Sequence, residues 1–204
     1  KAEEQALQEF RGDDAIQIRE PEDIDLEAAD MIAEGKIVAR CRGRMEWGAR
    51  SLGNRSILAS ADNYGVVDKI NQAIKQRDFW MPFAPSIREE SAGRYLDDPK
   101  NIQPWFMTHG FAVKHDGRAD LSAGCHPRDH TIRPQIVTKQ ANPGYHKLLS
   151  RFEETTGRGG LLNTSFNLHG FPIVYSPGDA IDVLMRSGLE HLALNNFIIS
   201  KRNA

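Results

Sequence analysis

Cysteine is nearly absent: Cys41 and Cys125 are the only two in 204 residues. At most one disulfide is available, so a reduced, cytoplasmic setting is the simpler expectation. Long apolar runs are missing as well, and no stretch approaches the length a helix needs to span a bilayer. The opening, KAEEQALQEF, is not a signal peptide, and it lacks a first Met, so a fragment or processed product is expected. Nor is there a surplus of either charge, with 26 Lys and Arg against 28 Asp and Glu. Nucleic-acid-binding domains usually carry a basic excess, so this balance counts against one while leaving room for a local basic site. A P-loop ending in GK[ST], a GxGxxG fingerprint and a GxSxG elbow are all lacking.

What is present suits one large domain. Residues 1–24 are highly charged, contain Gly12 and Pro21 and show no clean apolar stripe. They read as a linker or polar leading helix, the trailing end of a missing domain. Residues 25–204 form the organised domain. In DIDLEAADMIAEGKIVAR, Leu26, Ala29, Ile32 and Ala33 repeat at helical spacing, Gly35 stops the helix, and KIVAR is a short strand. VVDKINQAIK puts Val66, Val67, Ile70, Ala73 and Ile74 on one helical face that runs out near Lys75 or Gln76. PFAPSI, with two prolines, reads as an extended edge segment. HGFAVKH, PQIVT, LLNTSFN, HLALNN and FIISK read as strands. YHKLLSRFEETTG, closed by Gly157, and DAIDVLMRSG read as helices. Strands and helices mix without strict βαβ alternation, so the class is α+β, or irregular α/β.

Four stretches offer chemistry. CRGRMEWGARSLGNRS spreads Arg42, Arg44, Arg50 and Arg55 among glycines. Bare N–H groups and guanidinium forks suit phosphate, and composition alone leaves a plain surface loop equally open. Lys75 and Arg77, two apart where a helix stops, can converge on one anion only if they leave the helix extended. Spacing alone favours the plainer reading, a charged last turn that complements the helix dipole. In LLNTSFNLHG, Asn163, Thr164, Ser165 and Asn167 cluster where an apolar strand ends, and Gly170 permits a turn. They are neutral donors for phosphate or carbonyl oxygens, or simply a self-stabilised strand end. GCHPRDH resembles a metal patch, yet Pro127 breaks any helix that would set ligand spacing and no second cluster completes a set. No metal site is expected, and His126 with Arg133 reads better as polar contacts to a substrate.

Together GRMEWGARSLGNRSIL, INQAIKQRDFWMPFAPS, LLNTSFNLHGFPIV and LALNNFIISK resemble the C-terminal region of the NodU/CmcH-type O-carbamoyltransferases, over residues 25–202. The resemblance implies a YrdC-like fold, a twisted mixed sheet flanked by helices, that makes an acyl-adenylate from ATP. Its Lys-x-Arg pattern falls on Lys75 and Arg77, and its Ser-x-Asn with a following glycine on Ser165, Asn167 and Gly170. By implication carbamoyl phosphate is cleaved to phosphate and carbamate, and carbamate attacks the α-phosphorus of ATP, brought with Mg2+, releasing pyrophosphate. A separate N-terminal domain of the actin-like ATPase type, carrying iron, would pass the carbamoyl group to a hydroxyl-bearing small-molecule acceptor.

The same resemblance places Lys75 and Arg77 on the phosphates, and Ser165 and Asn167 on phosphate or carbamoyl oxygens. Arg44, Arg50 and Arg55 would bind triphosphate or carbamoyl phosphate, with Asn163 and Gly170 belonging to the late motif. His126 and Arg133 fit a looser His…Asp…Thr…Arg stretch, displaced here by one residue. Two positions depart from the family pattern: Phe171 stands where an acid is usual, and Met81 where an arginine precedes PFAPS. The competing reading, a YrdC-like RNA-binding module without catalysis, meets a near-neutral charge and arginines with no interleaved aromatics. A non-catalytic interface domain is the third.

Overall fold

The computed structural model describes residues 2–46, 48, 50–75, 81–98 and 100–202. Arg77 lies outside the described residues. The chain opens with α1 (Ala2–Gln8), β1 (Ile16–Arg19), α2 (Ile24–Ala33), β2 (Val38–Cys41) and β3 (Arg55–Ser60). It continues through α3 (Gly65–Ile70), a π-helical turn (Asn71–Lys75), β4 (Ala84–Arg88), α4 (Ala92–Tyr95) and β5 (Leu96–Asp97). Next come β6 (Phe111–Val113), β7 (Thr131–Ile132), β8 (Gln135–Val137) and α5 (Pro143–Thr156). The last elements are β9 (Gly160–Ser165), α6 (Pro177–Arg186), β10 (His191–Leu194) and β11 (Phe197–Lys201).

An eight-stranded mixed sheet in the order β1-β11-β10-β2-β3-β9-β4-β8 organises the domain, and β5-β6-β7 form a small second sheet. Most pairs are antiparallel, whereas β10–β2 and β4–β8 are parallel. One face of the large sheet is covered by α2 and α5, whose Ile32, Tyr145, Leu148 and Phe152 pack on Val38, Leu58 and Leu161. The other face is covered by α1, α3, α6 and the small sheet, through Leu7, Val67, Ile70, Ile181, Leu184 and Phe111. The two faces follow from the period-2 alternation of the strands. The class is the mixed α+β one expected.

Helix ends follow local chemistry. Asp23 caps α2 by accepting the amides of Asp25 (3.0 Å) and Leu26 (3.2 Å). Gly35, at φ +86°, turns the chain out of that helix. Pro143 stands in the first turn of α5 behind the cap Asn142, and Gly157 closes the helix in the left-handed region. A capping box of Ser176 and Asp179 starts α6. Burial opposes ionisation of Asp23, but the hydrogen bond from Lys147 and the two helix amides prevail and hold its pKa below the usual aspartate value. That stabilisation is therefore complete at neutral pH and fades as pH falls below about 4. Asp23→Ala should cost about 1 kcal/mol in urea unfolding at pH 7, and much less at pH 3.

Two segments differ from the sequence reading. PFAPSI supplies β4, which is interior, flanked by β9 and β8, so the expected edge position is not observed. Pro85 fits there because the β8 ladder begins only at Ser86. Within residues 1–24, α1 is a helix that buries Leu7 in the core, and β1 adds an edge strand by pairing Ile16–Arg19 with β11. Ile16 is buried while its neighbours stay exposed or half-exposed, a short alternation that the surrounding charges hide.

Candidate functional site

The π-helical turn delivers the first side chain. It widens the end of α3, and both Ile74 and Lys75 are buried there, Lys75 at 2% exposure. The Lys75 ammonium donates to Ser165 Oγ (3.1 Å), Asn167 Oδ1 (2.7 Å) and the Asn167 carbonyl (3.3 Å). Ser165 Oγ also donates to Asn167 Oδ1, at 2.6 Å. The residues that join Lys75 thus come from the end of β9 and the turn after it. Asn167 Nδ2 holds that turn by donating to the carbonyls of Leu168 and Phe171, both at 2.8 Å, and Gly170 supplies its positive φ of +78°. His169 Nδ1 lies 2.6 Å from the Lys75 carbonyl. A carbonyl only accepts, so the proton is assigned to that nitrogen. Turn and π segment are tied in both directions.

The glycine loop between β2 and β3 is held from below. Asn163 Oδ1 accepts from Ser51 Oγ (3.1 Å), while Nδ2 faces the Ser51 carbonyl, Ser86 Oγ and Gln135 Oε1 at 3.0–3.2 Å. Gln135 Nε2 donates to the Leu52 carbonyl at 2.9 Å. Glu46 Oε1 accepts the amides of Asn54 (2.7 Å) and Arg55 (2.9 Å). Arg55 is buried, and its guanidinium donates to the carbonyls of Arg42, Gly43, Asn54 and Tyr175. Asn163 and Arg55 therefore brace the loop in this state. Arg44 and Arg50 stay exposed on it.

His126 and Arg133 line one cleft of about 270 Å³ with Pro82, Phe83, Ala84 and Gly124. Partial desolvation, and then the like charge of Arg50, hold the Arg133 guanidinium below its ordinary range. Among the described residues, neither arginine makes an ion pair. His126 Nδ1 sits 3.2 Å from Asp129 Oδ1. Among the described residues, no group of three or more His, Cys, Asp or Glu is placed to hold a metal ion. A larger cleft, about 720 Å³, lies elsewhere: Trp105, Phe106, Asn142 and Gln135 line it, with Leu52 and Asn54 of the glycine loop.

One arrangement mimics a nucleophilic triad. His146 Nε2 lies 3.0 Å from Glu90, and Ser150 Oγ lies 3.5 Å from His146 Nδ1. Ser150 Oγ, however, donates to the His146 carbonyl at 2.9 Å, an ordinary helix back-bond.

Sequence reasoning missed the loop's supports, Ser51, Ser86 and Gln135. Ser86 and Gln135 are single polar residues inside apolar strands, and a buried polar side chain must have a partner, which was the available signal. His169 carried no comparable mark.

Residues 29–201 match the family described as carbamoyltransferase C-terminus. The chain belongs to that family. Among curated relatives, it is 37% identical over 190 residues to the nodulation protein NolO of Bradyrhizobium diazoefficiens, covering 93% of this chain and 34% of that protein. It is 34% identical over 154 residues to the 3'-hydroxymethylcephem-O-carbamoyltransferase of Streptomyces clavuligerus, covering 74% and 28%. The chain thus spans about a third of the length of these relatives. In fold it resembles full-length HypF in a phosphate- and nucleotide-bound form, with TM-score 0.59, 16% identity and coverage of 89% and 22%. Sua5 of P. abyssi in complex with L-threonine gives TM-score 0.57, 18% identity and coverage of 84% and 46%. The YrdC/Sua5-like fold implied by the motifs is the fold observed.

Proposed function

We propose that this domain forms carbamoyl-adenylate from carbamoyl phosphate and ATP, as the activating part of an O-carbamoyltransferase. The observation that carries the reading is the convergence of the buried Lys75 ammonium with Ser165 and Asn167. The glycine loop adds the exposed Arg50, whose like charge is felt at Arg133. Phosphoryl transfer spreads negative charge over several oxygens, and fixed donors stabilise that charge without reorganising during reaction.

In this reading water cleaves carbamoyl phosphate to carbamate and phosphate. A carbamate oxygen then forms a bond to the α-phosphorus of ATP as the bond to pyrophosphate breaks. Lys75, with Arg77, neutralises phosphate charge, and Ser165 and Asn167 hold phosphate or carbamoyl oxygens. Arg44, Arg50, Arg133 and His126 draw in the anionic groups, while Arg55, Asn163 and Gly170 shape the loop and turn that present them. Mg2+ enters with ATP as part of the substrate. Transfer to a hydroxyl acceptor belongs to a separate N-terminal domain of the actin-like ATPase type with its iron. The 3'-hydroxymethylcephem relative agrees with a hydroxyl-bearing small-molecule acceptor.

Calorimetric titration tests the binding half. ATP and carbamoyl phosphate should each release or absorb measurable heat on the folded chain. Absence of heat from both, in protein with a cooperative melt, would overturn the reading.

A further inference from the structure

Arg40 lies in the middle of β2, where the chain reads as an apolar strand, and it is 2% exposed. Its guanidinium spans two elements. Nη2 donates to Asp25 Oδ1 of α2 at 3.0 Å. Nη1 donates to the Gly53 carbonyl and, at 3.3 Å, to Asn54 Oδ1. Tyr145 of α5 stacks nearby, 5.7 Å from ring centroid to guanidinium carbon. Asp25 is also buried, and its second oxygen takes Arg42 at 2.6 Å. Asn142, the cap of α5, completes the contact by donating to Asn54 Oδ1 at 2.9 Å.

A buried ion pair is a poor way to gain stability, because an apolar pair of the same volume commonly does as well. What an apolar side chain cannot do is grip a backbone carbonyl. Arginine's planar fork can take a carboxylate with one arm and a loop carbonyl with the other. Gly53 and Asn54 close the glycine loop three residues after Arg50, so fixing them fixes the direction in which Arg50 and Ser51 leave the sheet.

We propose that Arg40, anchored by Asp25, is a positioning residue that sets the glycine loop against the anion site. Its role in ligand binding rests on the proposed function, whereas its role in loop order does not.

The test compares Arg40→Met, Arg40→Lys and Asp25→Asn with Ile199→Ala, a core change in β11 that lowers stability without touching the loop. Hydrogen exchange of the amides of residues 50–54, and trypsin nicking after Arg44 and Arg50, report loop order on the folded chain well below its melting temperature. Arg40→Met should raise both about tenfold or more, and ATP affinity should fall by about tenfold to a hundredfold, the scale of a small misplacement of binding groups. Arg40→Lys keeps the charge near Asp25 but not the fork, so it should rescue folding more than affinity. If Arg40→Met or Arg40→Lys melts earlier while loop exchange, nicking and ATP affinity follow Ile199→Ala, the proposal is overturned. Should Arg40→Met fail to fold, Arg40→Lys and Asp25→Asn decide it on the same readouts. If the parent chain binds neither ATP nor carbamoyl phosphate, the functional reading fails while the exchange and nicking comparison still judges Arg40.

Discussion

Lys75→Met should lower carbamoyl-phosphate-dependent adenylate formation by about a thousandfold, while the chain stays folded. Methionine nearly matches the length of the lysine stem, so the buried volume is kept and only the charged donor is lost. Among the described residues, the lost hydrogen bonds run to Ser165 and Asn167, which can bond to each other, as the 2.6 Å contact already shows. The stability cost should therefore stay within about 1–2 kcal/mol in urea unfolding. The catalytic cost is larger, because a preorganised donor aimed at developing phosphoryl charge lowers the barrier by about 3–4 kcal/mol. Single-turnover kinetics with labelled ATP would measure the effect. A loss under fivefold would place Lys75 among structural lysines.

Gly53→Ala should be among the most destabilising single changes in the domain. Gly53 has φ +111°, where L side chains are strained. A methyl group there would lie 2.2 Å from Cδ1 of Tyr145, well inside contact distance. Tyr145 cannot swing aside, since it is fully buried among α2, α5 and the sheet. The Gly53 amide donates to Ser56 Oγ at 2.9 Å and its carbonyl accepts from Arg40, so backbone displacement breaks both. Strain and overpacking together should cost about 3–5 kcal/mol, read as a lowered urea midpoint with an unchanged slope. A cost below about 1 kcal/mol would mean that the loop does not seat on Tyr145 as described.

The sequence carried most of the helices and strands because their signals are local. Gly35 and Gly157 mark helix ends that the structure keeps. The interior place of β4 was hidden because strand order is a non-local property, and two prolines argued locally for an edge. Of the site, Lys75, Ser165 and Asn167 were legible as a motif, and their contact spans 90 residues of chain. The mixed duty of the arginines was not legible: composition cannot tell Arg55, which braces four carbonyls, from Arg50, which stands exposed beside Arg133. Nor could spacing show that Asn163 faces Ser51, Ser86 and Gln135 beneath the loop, since those partners come from three separate segments.

In the proposed function this domain couples carbamoyl phosphate to attack on the α-phosphorus of ATP. Exchange of labelled pyrophosphate into ATP measures that step directly, because only reversible adenylate formation returns label to the β and γ positions. Exchange should require carbamoyl phosphate and be lost in Lys75→Met. Binding of both nucleotide and carbamoyl phosphate without any exchange, or exchange indifferent to carbamoyl phosphate, would contradict it.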